Sequence, residues 1–133
     1  MDEIDTKIVE YLQEDARKPF LQIAKELKVS EGTIRKRVNK LISEKVIKKF
    51  TITLQNRIGA IVGIETNPHI ETRNIVENLK KVGLKEIYEV TGRFDIVCII
   101  DTQSTEGMND VLEKIRILEG INHTETFTIL KEN

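Results

Sequence analysis

The chain is poor in the residues from which most catalytic and metal sites are built. Its 133 residues include no tryptophan, one cysteine and two histidines. Cys98 has no partner for an internal disulfide and no metal-ligand spacing around it. It sits in the apolar run Ile96-Val97-Cys98-Ile99-Ile100, where a small core residue is expected. His69 and His123 have no Cys or Asp at useful spacing and are expected on the surface. No Gly-rich phosphate loop, paired-carboxylate motif or nucleophile motif occurs. No catalytic residue, metal site or cofactor is therefore expected, and the chain is not expected to be an enzyme. Long apolar runs are also missing. No segment approaches the ~20 residues of a membrane span, and Met1-Asp2-Glu3 lacks the basic region and apolar core of a secretory leader. A cytoplasmic protein with no membrane contact is expected.

Charge is what the chain has in quantity. Lys and Arg number 21 against 22 Asp and Glu, a net charge of −1. The balance is uneven along the chain. Residues 1–50 carry twelve bases and nine acids, with the acids early and the bases late. From Thr33 to Lys49 seven bases face Glu44 alone. Such a face attracts phosphate through counterion release. A run of charge is by itself most often only a solvated helix surface, so the pattern beneath it matters.

That pattern is helical. Ile4, Ile8 and Leu12 recur every four residues and predict a first helix ending near Asp15. Pro19 suits the first position of a second helix, which runs to about Leu27. Lys28-Val29-Ser30 forms the turn, and Ser30 is a good N-cap for a third helix. Ile23-Ala24, Leu27, Val29, Ile34, Val38 and Leu41 supply the apolar skeleton of a helix-turn-helix. The first turns of its second helix meet the bases, which nominates Glu31, Gly32, Thr33 and Lys36. Arg35, Arg37 and Lys40 are long enough to reach phosphates, and Ser30 can donate to one. Arg37 has an alternative role, pairing with a nearby carboxylate to brace the fold.

After Lys45 the period changes. Val46-Ile47 and Phe50 to Leu54 alternate as a strand does. Domains are assigned as 1–50 for DNA binding, 51–56 as a connecting strand or ordered hinge, and 57–133 as a sensing and oligomerisation unit, with the boundary at Gln55-Asn56. The remainder predicts strand, helix, strand, strand, helix, strand. The strands are Ile58–Glu65, Leu84–Thr91, Phe94–Asp101 and Ile121–Leu130. One helix starts at Asn67-Pro68 and stops at Gly83, and another is capped by Ser104. The fold class is α+β: an N-terminal helix-turn-helix and a ferredoxin-like βαββαβ sandwich with both helices on one face. The other sheet face is left uncovered and partly apolar, and about 80 residues make a small independent core. A homodimer paired through its sheets is expected. Its two recognition helices would suit a palindromic double-stranded operator.

These features together resemble the Lrp/AsnC, or feast/famine, family of transcriptional regulators over essentially the whole chain. The matching residues are Ile4-Asp5, Asp15-Ala16-Arg17, Ile23-Ala24, Val29-Ser30, Ile34, Arg37-Val38, Leu41 and Val46-Ile47. Later come Ile58-Gly59, Thr91 to Asp95 and Glu119-Gly120-Ile121. The resemblance implies a ligand-sensing domain of the RAM type, related in topology to ACT domains. It implies dimers that assemble further, commonly to octamers, and an amino-acid effector bound between dimers. The family's Gly-x-x-Asp loop maps to Gly92, Arg93, Phe94 and Asp95. Asp95 could face an ammonium while backbone N–H groups near Gly92 meet a carboxylate. Thr91 belongs to the same loop, and Thr124 and Thr126 are weaker pocket candidates. Alternatively, Thr91 to Phe94 is a plain hairpin turn capped by Asp95.

Three positions depart from the family pattern. Lys28 and Lys45 stand where glycine is common, and at Lys28 a strained backbone is expected. Arg93 replaces a residue that is often acidic. Siroheme decarboxylases resemble the same two-domain architecture, but this chain has no histidine- or arginine-rich pocket for that chemistry. A pure interaction module would not need the seven-base patch.

Overall fold

A computed structural model describes residues 1–55 and 57–133, so Asn56 of the expected boundary lies outside the described residues. The chain divides into two compact units, Met1–Thr53 and Leu54–Asn133.

In the first unit, α1 (Glu3–Glu14), α2 (Phe20–Leu27) and α3 (Glu31–Ser43) surround one core. Asp2 caps α1 by accepting from the Asp5 N–H, and the Asp5 side chain accepts from the Asp2 N–H in return. Pro19 is the N-cap of α2 rather than its first residue; its extended ψ of 138° leaves the helical path to begin at Phe20. Ser30 caps α3, its Oγ accepting from the Thr33 N–H at 3.1 Å. Ile8, Leu12, Ile23, Ala24, Ile34 and Val38 form the core, with Tyr11, Phe20, Val29 and Ile47 packed around it.

Two lysines end helices in the left-handed conformation: Lys28 at φ 58° and Lys45 at φ 60°. Both sit in paired C-terminal closures. Lys28 N–H reaches Lys25 O while Val29 N–H reaches Ala24 O; Lys45 N–H reaches Ile42 O while Val46 N–H reaches Leu41 O. The closing hydrogen bonds hold a conformation that a side chain disfavours by ~1–2 kcal/mol. Phe50–Leu54 is not a strand. The alternation is present, but a strand exists only with a partner ladder, and among the described residues no backbone pairs with this segment.

The second unit contains β1 (Ile58–Thr66), α4 (Thr72–Val82), β2 (Glu86–Glu89), β3 (Ile96–Thr102), α5 (Thr105–Arg116) and β4 (Ile121–Thr128). The sheet order is β2-β3-β1-β4, with antiparallel neighbours throughout. Ala60, Val62 and Ile64 face Ile100, Cys98 and Ile96 across β1 and β3. They are buried with Ile75, Leu79, Met108 and Ile115 of α4 and α5, so both helices cover that one face. Cys98 is fully buried, and burial pushes its thiol up to about 11. The opposite face carries Ile61, Val97, Ile99, Phe127 and Tyr88 by register. Ile61, Tyr88 and Phe127 are exposed there.

Local chemistry shortens some expected elements. Asn67-Pro68 does not start α4, whose N-cap is Glu71. Asn67 instead closes its own turn: its Oδ1 accepts from the His69 N–H and its carbonyl from the Ile70 N–H. Leu84 is drawn into the closure that ends α4 at Gly83, donating its N–H to Leu79 O. It joins the core, so β2 begins only at Glu86. Ser104 caps α5 as expected, accepting from the Gly107 N–H at 3.0 Å.

Candidate nucleic-acid interface and effector loop

Ile34, Val38 and Leu41 recur at i, i+4 and i+7 and turn one side of α3 inward. The same period turns Gly32, Lys36 and Lys40 outward, all three exposed, with Thr33 half-exposed beside them. A Cβ on Gly32 would meet only Ser30 Oγ, at 3.9 Å, so the surface there is open. Ser30 Oγ lies 2.9 Å from Thr33 Oγ1, which leaves both hydroxyls tied to the start of the helix. Glu31 and Arg35 satisfy each other at 2.6 Å, and the Arg35 guanidinium lies 5.5 Å from the Phe20 ring. Lys40 stands 3.9 Å from Glu44, a weak exposed pair.

Arg37 departs from the phosphate-contact role. Its Nη1 donates to Asp2 Oδ2 at 2.5 Å and to Asp5 Oδ1 at 3.2 Å. The guanidinium is thereby committed to the start of α1. Direct hydrogen bonding to Arg37, then to the Asp5 N–H, holds the Asp2 carboxyl down at about 2, and the two carboxylates push Arg37 up. A depressed carboxyl stabilises the fold above its ordinary 3.8, and that support fades as pH falls towards about 2. Thermal melts between pH 5 and pH 2 are expected to show wild type losing its margin over Asp2→Asn as the acid limit is approached. The α1–α2 contact has its own brace: Lys18 Nζ pairs with Glu26 at 3.0 Å and lies 3.9 Å above the Tyr11 ring.

In the second unit, Gly92 turns with φ 119° between β2 and β3. Asp95 is exposed, and its Oδ2 accepts from the Thr66 N–H at 2.8 Å and from Thr66 Oγ1 at 3.1 Å. The β1–β4 register shifts at Glu65/Thr66, and Asp95 receives the Thr66 N–H at that point. Asp95 N–H in turn donates to Ile64 O at 2.9 Å. Asp95 Oδ1 has no partner among the described residues. Phe94 lies across Gly63, where a Cβ would stand 2.5 Å from the ring. Arg93 is 3.1 Å from Glu125 Oε2 and 5.4 Å from the Phe94 ring centre. The Glu125 oxygen is buried and makes no well-angled hydrogen bond, so this is a charge contact. It offsets the positive charge that Arg93 brings to the loop.

Thr91, Gly92, Arg93, Phe94 and Asp95 are contiguous around the turn, but Thr124 and Thr126 are not with them. Register places these threonines opposite Ile64 and Val62, on the helix-covered face. Phe94 and Glu125 belong to the other face, over and beside Gly63. Thr124 instead lines an open cavity of about 310 Å³ with Arg116, Ile121, Asn122 and His123. Thr66, Glu125, Asp2 and Asp5 are the participants that sequence reasoning missed. Only Asp2 and Asp5 left a signal, the three-residue spacing of a capping box.

The fold and the outward face of α3 define a two-domain protein that joins a helix-turn-helix to a βαββαβ unit. The AsnC-type helix-turn-helix domain matches residues 1–42, and the Lrp/AsnC ligand binding domain matches residues 59–133. The chain is 42% identical over 134 residues to the HTH-type transcriptional regulator LysM of Sulfurisphaera tokodaii, covering 98% of this chain and 96% of that one. It is 34% identical over 136 residues to the regulator FL11 of Pyrococcus furiosus, covering 98% and 90%. Among solved structures it is similar to E. coli AsnC, with a TM-score of 0.81, 27% identity and coverage of 99% and 93%. It also shares the fold of the M. tuberculosis feast or famine regulatory protein complexed with L-methionine, with a TM-score of 0.85, 22% identity and coverage of 98% and 92%. The chain belongs to the Lrp/AsnC family. It is a DNA-binding transcriptional regulator with a ligand-binding domain, not an enzyme. Among the described residues no helix is long and apolar enough to cross a membrane.

Proposed function

We propose that this protein is a cytoplasmic homodimer, assembling further towards an octamer, that reads a palindromic operator with α3 and responds to an amino acid held by the Gly92–Asp95 loop. The observation that carries the DNA half is the division of α3. Ile34, Val38 and Leu41 are sunk in the core while Gly32, Thr33 and Lys36 face outward for base edges. Lys40 and Arg35 flank them for phosphate, with Glu31 held by Arg35 and Ser30 at the helix start. The exposed apolar sheet face, with Ile61, Tyr88 and Phe127, supports pairing of two copies. Pairing of that kind gives the two-fold symmetry that a palindrome requires.

Asp95 supports the effector half. One of its oxygens is spent on Thr66, which fixes the carboxylate in place; the other is free for an ammonium. The test is a thermal-shift screen of the amino acids against wild type and Asp95→Asn. A ligand that prefers the native state raises the melting point, by an amount that grows with concentration over its Kd. One amino acid is expected to raise the wild-type value, with the shift lost in Asp95→Asn. An equal shift in both proteins would remove Asp95 from the site.

A further inference from the structure

We infer that Asp2 and Asp5 hold Arg37 away from the DNA backbone, so that the acidic start of α1 limits how much of the interface's affinity is indifferent to sequence. The inference rests on α3 being the DNA-reading helix. Arg37 lies on α3 one turn after Thr33 and three residues before Lys40, in the same row of the helix surface. From that row a guanidinium on a long, flexible stem is within reach of a phosphate. Two carboxylates take it instead, at 2.5 Å and 3.2 Å. Neither has to be recruited for the purpose. The reciprocal capping box fixes both Asp2 and Asp5 at the start of α1 before Arg37 is considered. Asp5 is largely shielded from solvent, with 13% of its side chain exposed, and Arg37 retains 29%.

A plain structural brace explains this geometry less completely. A brace stabilises the fold with one carboxylate for one guanidinium, and two are present here. They hold it from two sides, with the Met1 ammonium also acting on Asp2, so the guanidinium is doubly engaged at the flank of α3. A phosphate competing for Arg37 would have to displace both carboxylates. Contacts to phosphate raise affinity for every sequence alike, whereas base contacts discriminate. Withholding one cation from the backbone therefore lowers non-specific binding and leaves discrimination to Gly32, Thr33 and Lys36.

The test compares duplex binding by wild type, Asp2→Asn/Asp5→Asn, Arg37→Gln and the triple variant, from 50 to 200 mM salt. Asparagine caps a helix about as well as aspartate, so the double variant removes charge and keeps the cap. Each phosphate contact adds ~0.9 to the slope of log affinity against log salt. The double variant is expected to gain about one contact. Its affinity for a random duplex would fall about three- to fourfold more than that of wild type across this salt range. Arg37→Gln is expected to keep the wild-type slope, and the triple variant to return to it. A double variant with the wild-type slope would overturn the inference. So would a gain that survives in the triple variant, since the added charge would then act without Arg37. A shallower slope in Arg37→Gln alone would place Arg37 on phosphate already and overturn the inference. If the double variant fails to fold, Asp2→Asn alone, which keeps the Asp5 contact, replaces it and is expected to gain part of the same slope. If wild type showed no salt-sensitive duplex binding, the DNA role of α3 itself would fall.

Discussion

Replacing Ile34 with alanine is expected to cost residues 1–53 most of their stability. Ile34 is completely buried and touches a core shared with Ile8, Leu12, Ile23, Ala24 and Val38. Truncating such a side chain costs about 2–5 kcal/mol, because the lost transfer energy is compounded by the cavity left behind. A unit of this size holds only ~3–8 kcal/mol in all, at the usual 0.05–0.15 kcal/mol per residue. The loss falls on α3, so the outward face loses its support at the same time. Circular dichroism melts should show helix lost at a much lower temperature, and duplex retention should disappear with it. Ile42→Ala is the control: the residue is on the same helix but 43% exposed, and its effect should stay within about 0.5 kcal/mol. Equal melting points for the two variants would show that Ile34 is not a core residue.

The sequence disclosed most about periodic and capped elements. The three helices of the first unit, the order of the sheet elements and the caps at Ser30 and Ser104 were all legible, because each has a local chemical cause. Elements that depend on distant backbone were less so. Phe50–Leu54 has the alternation of a strand, but alternation does not create a ladder partner. Asn67-Pro68 carries a helix-start signal, yet Asn67 closes a turn of its own, and the helix waits until Thr72. At the site, the outward row of α3 follows directly from a 3.6-residue period. The fate of Arg37 does not, since its partners lie some thirty residues away at the start of another helix. The placement of Thr124 and Thr126 was not legible for a related reason. A strand shows two faces, and only the register across Ile64 and Val62 decides which one a threonine occupies. Lys28 and Lys45 were the reverse case: both stand where glycine is common, strain was expected at Lys28, and both residues are left-handed.

Loss of Lys36 should weaken operator binding by about 1–3 kcal/mol if its ammonium meets a base edge, which is roughly fivefold to 150-fold in Kd. Lys36 is exposed and sits at the centre of the outward face, so alanine there removes a contact without disturbing the core. Lys40 differs in kind. It stands at the flank, 3.9 Å from Glu44, and its expected partner is phosphate. Lys40→Ala should therefore lower affinity for all duplexes by a similar factor and reduce the salt slope by ~0.9. Lys36→Ala should instead narrow the gap between operator and random duplex. Lys36 and Lys40 are like charges one turn apart on α3, so the double variant is expected to depart from additivity. Titrations of operator and random duplex at several salt concentrations distinguish these outcomes. A Lys36→Ala protein that binds both duplexes as tightly as wild type would take Lys36 out of the groove. One that loses affinity equally for both would move it to the phosphate row beside Lys40.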